Sequence, residues 1–77
     1  MSPFLPPMRD VYSSNVQSIG YDERTQKLFV RWTRGNVSAY SDVPPGKARE
    51  VMNAGSVGAA IAVQIKNQYP HSYIPGA

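Results

Sequence analysis

Residues 27 to 41 constrain this chain more than any other part of it. Lys27-Leu28-Phe29-Val30-Arg31-Trp32-Thr33 alternates two sets of side chains, Arg34-Gly35-Asn36 supplies turn chemistry, and Val37-Ser38-Ala39-Tyr40-Ser41 resumes a strand pattern. Successive side chains of a strand point to opposite faces, so Leu28, Val30 and Trp32 share one face while Lys27, Phe29, Arg31 and Thr33 share the other. A two-residue turn at Arg34-Gly35 or at Gly35-Asn36 puts glycine where a tight hairpin demands a positive φ. Both registers give the same facing. Either one adds Val37 and Ala39 to the Leu28, Val30, Trp32 face, and Ser38 and Tyr40 to the Phe29, Arg31 face. The first of these faces is expected to be core.

Around this hairpin the other elements fall into order. Val16 to Tyr21 reads as an earlier short strand with Ile19 and Tyr21 on one face, and Asp22 to Gln26 reads as a polar turn. After Ser41 the period changes. Asp42 is placed to cap a helix, Pro44 or Pro45 suits its first turn, Ala48, Val51 and Met52 form its apolar stripe, and Gly55 ends it. Ser56 caps a second helix expected to run to Tyr69 and stop at Pro70. Strands first and helices after them predict an α+β domain: a three-stranded antiparallel meander with two short helices packed on it. Residues 1–10 hold three of the seven prolines and are expected to form a flexible tail, with the domain at 11–70 and a C-terminal tail at 71–77.

Composition narrows the function classes. With no cysteine in 77 residues, neither a disulfide framework nor a thiolate metal site is available. No apolar run approaches the roughly eighteen residues of a membrane span, so a cytoplasmic protein with no membrane association is expected. The net charge of +3 favours a polyanionic partner only modestly. His71 stands alone in a Pro-bounded stretch and is expected to be solvated. The acids Asp10, Asp22, Glu23, Asp42 and Glu50 have no spacing that would converge them on one helix face. Ser13-Ser14-Asn15 and Ser56 read as turn and cap chemistry. No enzyme, cofactor or metal is expected.

Ser13-Ser14-Asn15, Ile19-Gly20-Tyr21-Asp22, the alternating Leu28 to Trp32, Gly35, Tyr40, Val43-Pro44-Pro45, Ser56-Val57-Gly58, Ile65 and Tyr69-Pro70 together resemble the KTSC domain. This is a short bacterial and phage module named for its place at the C-terminus of some lysyl-tRNA synthetases, and also found alone. The resemblance spans about Val11 to Pro70. It implies no established activity, and RNA binding is suggested for the family from its attachment to a tRNA-charging enzyme. The family's third strand carries a Tyr-x-Tyr pair, where this chain has Ser38-Ala39-Tyr40. Its second helix usually carries basic, polar and aromatic residues, where this chain has Val57, Ala59, Ala60, Ala62 and Val63.

Two candidate surfaces follow. Aromatic rings interleaved with cations suit stacked bases and backbone phosphates, so Phe29, Arg31 and Tyr40, with Lys27 and Arg34 beside them, are a candidate site for RNA or single-stranded nucleic acid. On a regular helical wheel, Ile61, Ala62, Ile65 and Tyr69 form a core stripe, leaving Ala59, Ala60 and Val63 on the far side. That patch is a candidate surface for a homo-oligomer or a protein partner.

Overall fold

The computed structural model describes residues 5–11, 13 and 15–74. It is an α+β fold built on one antiparallel sheet of five strands, β1 Arg9–Asp10, β2 Val16–Asp22, β3 Lys27–Trp32, β4 Val37–Tyr40 and β5 His71–Ile74, lying side by side in chain order. Helix α1 spans Pro45–Met52 and α2 spans Val57–Ala60, continued by a π-helical turn over Ile61–Ile65. The three central strands and the two short helices match the sequence pattern. The outer strands do not: Arg9–Asp10 and His71–Ile74 fall in stretches expected to be tails, yet they pair with β2 and β4. The remaining tail residues, 1–4 and 75–77, lie outside the described residues, as do positions 12 and 14.

The hairpin facing also differs from the expectation, and one residue of loop length is the reason. Trp32 N donates to Asn36 O at 2.9 Å and Gly35 N to Trp32 O at 2.8 Å, closing a three-residue loop of Thr33, Arg34 and Gly35. Gly35 takes φ 101°, the left-handed conformation this loop needs at its last position. An odd loop slips the register by an odd number of residues relative to either two-residue turn, and such a slip moves every side chain of one strand to the other face. Leu28 therefore pairs with Tyr40, Phe29 with Ala39, Val30 with Ser38 and Arg31 with Val37. Tyr40 and Ser38 lie on the Leu28 and Val30 face, while Val37 and Ala39 join Phe29 and Arg31.

Both faces are covered. Leu28, Val30, Ile19 and Tyr40 pack beneath the helices against Val51, Ile61 and Ile65. On the reverse face Phe29, Val37 and Ala39 form a smaller cluster sealed by Leu5, Met8 and Ile74. A sheet buried on both sides gives the alternation two apolar faces instead of one.

The helices begin and end differently from the wheel. Asp42 does not cap α1; it takes φ 62° in the link from β4, and the cap position falls to Pro44, which makes no side-chain cap bond. Ser56 does cap α2, its hydroxyl accepting from Ala59 N. The first turn of α2 lies against the loop before β2. Gly58 N donates to Ser13 Oγ at 3.1 Å, and a Cβ on Gly58 would stand 2.5 Å from that oxygen and 2.6 Å from Asn15 Oδ1. Past Ala60 the turn widens, with Lys66 N donating to Ile61 O at 2.7 Å. The helical run ends at Ile65, short of Tyr69, because Lys66 is extended and Asn67 takes φ 65°.

Candidate functional site

Two cross-strand rows define the helix-facing side of the last three strands. Leu28, Tyr40 and His71 form one, and Val30, Ser38 and Tyr73 the other. The helices cover the Leu28 end. Toward the β3–β4 turn a groove of about 480 Å³ lies open, with Trp32, Ser38 and Tyr40 at its base and His71 and Tyr73 along β5. The remaining polar lining comes from Thr33, Arg34 and Asn36 of the hairpin, Lys66 and Asn67 of the turn after the π-helical segment, and Asn15 before β2.

Ser38 organises the rings. Its side chain is 1% exposed. Trp32 Nε1 donates to Ser38 Oγ at 2.8 Å, and His71 Nε2 lies 2.9 Å from the same oxygen. The hydroxyl has one proton to give, so it accepts from Trp32 and donates to His71 when that ring nitrogen is unprotonated. The His71 ring is then held between two tyrosines, with centroids 4.9 Å from Tyr40 and 4.7 Å from Tyr73, the latter pair edge-on at 84°. Burial first, and the neighbouring Tyr73 phenol second, push the Tyr40 hydroxyl above its ordinary pKa, so it stays neutral at physiological pH. Arg34 and Lys66 are exposed. The one ion pair among the described residues joins Lys47 to Glu50, so neither groove cation is neutralised by a carboxylate there.

The residues expected to bind nucleic acid are dispersed. Phe29 is 6% exposed and belongs to the reverse-face cluster. Arg31 is half-buried on that same face and donates to Gly35 O at 3.3 Å. Lys27 pairs with Asp22 at the far end of β3. Tyr40 and Arg34 alone reach the groove, Tyr40 as its nearly buried base. An open face carrying Phe29, Arg31 and Tyr40 together does not form, since the register puts Tyr40 opposite to the other two.

The expected interface patch is divided as well. Ala60 is 7% exposed and packs into the core, whereas Val63 is 73% exposed and Ala59 faces solvent. The shortened α-helix and its π-helical continuation break the wheel that grouped them, and they turn Ala62 outward from the expected core stripe. Sequence reasoning missed Trp32, His71, Tyr73 and Lys66 as groove residues. The signal for two of them was present: His71-Ser72-Tyr73-Ile74 alternates as a strand does. Among the described residues no three histidines or carboxylates gather as a metal site would require, and no helix is long and apolar enough to cross a membrane.

The model of the family described as the KTSC domain matches residues 12–69. A protein of Tsukamurella paurometabola is 32% identical over 62 residues, which cover 80% of this chain and 92% of that one. The fold is similar to the crystal structure of a KTSC domain protein from Yersinia pestis, with a TM-score of 0.82 and 29% identity over 88% of this chain and 96% of the other.

Proposed function

The chain belongs to the KTSC domain family, and from that premise we propose a non-catalytic role, the weak binding of single-stranded nucleic acid, RNA in particular, in the groove beside β5. The observation that carries this reading is the grouping of the Trp32, His71 and Tyr73 rings with the cations Arg34 and Lys66 in one concavity. Accessible rings accept an unpaired base, whose stacking contributes about 1–3 kcal/mol, and cations accept the phosphates beside it. Duplex bases are already stacked on each other, which favours single strands. The family's association with a tRNA-charging enzyme favours RNA.

A binding role also suits the only serine–histidine pair in the groove. Ser38 is buried and its oxygen already accepts from Trp32, which fits a structural clamp and not an attacking nucleophile.

The chain has a single tryptophan, so its fluorescence reports on the groove directly. Titration with a single-stranded RNA octamer at low salt is expected to quench Trp32. With two cations engaged, the log–log dependence of affinity on salt should have a slope of about −1.4. Loss of quenching in a Tyr73→Ala, Lys66→Ala double variant supports the reading. No response at low salt, or equal response to duplex RNA, overturns it.

A further inference from the structure

The two cations of the groove come from separate turns, and each has an amide close by in sequence: Arg34 with Asn36, and Lys66 with Asn67. The backbone fixes both turns. Gly35 at φ 101° closes the first and Asn67 at φ 65° shapes the second. The two turns share the groove with an aromatic floor in which Ser38 ties Trp32 to His71 before any ligand arrives. The volume of about 480 Å³ falls in the lower part of the range, about 300–1,000 Å³, of sites that hold one small molecule. That is room for one nucleotide unit and not for a run of several.

We propose that the minimal ligand of this groove is a single nucleotide carrying phosphate on both its 5′ and 3′ sides, that is, an internal nucleotide of a strand. This rests on the nucleic-acid reading above and deepens it. One base stacks on the ring cluster of Trp32, His71 and Tyr73. One flanking phosphate meets Arg34 and the other meets Lys66, each through charge-assisted hydrogen bonds, and the neighbouring amides of Asn36 and Asn67 add donors and acceptors. A free nucleoside 5′-monophosphate uses only one of the two cations. A nucleoside uses neither.

Trp32 quenching compares adenosine, adenosine 5′-monophosphate, adenosine 3′,5′-bisphosphate and the RNA octamer under one low-salt condition. The bisphosphate is expected to bind about tenfold tighter than the monophosphate. Arg34→Ala and Lys66→Ala should each bring the bisphosphate close to the monophosphate level while leaving adenosine quenching unchanged. Both side chains are exposed, so the fold tolerates their loss, and an unchanged far-ultraviolet dichroism spectrum confirms it. Equal affinity for monophosphate and bisphosphate, with the octamer still bound, overturns the two-phosphate ligand and leaves the nucleic-acid role standing. No response to the octamer removes both.

Discussion

The helix-facing side of the sheet has a dry end and a wet end made from the same strands. At the dry end Leu28, Val30 and Ile19 are fully buried under Ile61, Ile65 and Val51. At the wet end the same alternation continues into Trp32 and, across the strands, Ser38 and Tyr73, which line the open groove. The helical run stops at Ile65 and its last turn is π-helical, so the cover ends before the sheet does. The difference teaches that apolar patterning says which side of a strand is inward, whereas the length of the covering element says where inward becomes groove. Aromatic residues at the uncovered end keep a ring face for a ligand, and two of them, Trp32 and His71, direct a ring nitrogen to the Ser38 hydroxyl.

The contrast can be broken by mutation, most forcefully at the dry end. Leu28→Ala should cost about 3 kcal/mol, a large share of what a domain this small has to spare. A urea melt followed by far-ultraviolet dichroism reads it, and the residual folded protein should still show groove-bound Trp32 emission. Ser38→Ala should cost less, about 1–2 kcal/mol, by leaving the Trp32 and His71 ring nitrogens without a partner. Its distinguishing sign is a shifted Trp32 emission spectrum in the folded state.

Tyr40 sits on the border, packed in the core and forming part of the groove base. Its raised phenol pKa means the folded state favours the neutral form. That stability is fully present below about pH 10, the ordinary tyrosine value, and is lost as pH rises through the higher folded-state value. Urea midpoints measured against pH should fall on the alkaline side, with a shallower fall in Tyr40→Phe. The smallest effect on stability belongs to the wet end. Tyr73 is 63% exposed, so Tyr73→Ala should alter the unfolding free energy from a urea melt by no more than about 0.5 kcal/mol while weakening RNA binding several-fold.

The sequence made some of this legible and hid the rest for physical reasons. The β2, β3 and β4 strands, α1 and the Ser56 cap follow from local periodicity and capping chemistry, which short windows carry. The facing of Tyr40 did not, because it turns on whether Gly35 closes a loop of two residues or three, and both loops are compatible with Arg34-Gly35-Asn36. Strand β1 has two residues and no period to read; its pairing with Ile19 and Ser18 is supplied by β2. The groove is less local still. Trp32, Ser38 and His71 meet across separations of 6 and 33 positions, and only the register of three strands brings them together. The widened turn at Ile61–Ile65 has no sequence signature that a regular wheel detects, and it is what splits Ala60 from Val63.

The most direct measurement follows the amide and indole N–H resonances of the protein during titration with single-stranded RNA at low salt. The account predicts that the Trp32 indole signal and the backbone signals of Ser38, Lys66, His71 and Tyr73 move, while those of Leu5, Phe29 and Ala39 on the reverse face stay in place. Movement confined to the reverse face, or no movement anywhere, would contradict it.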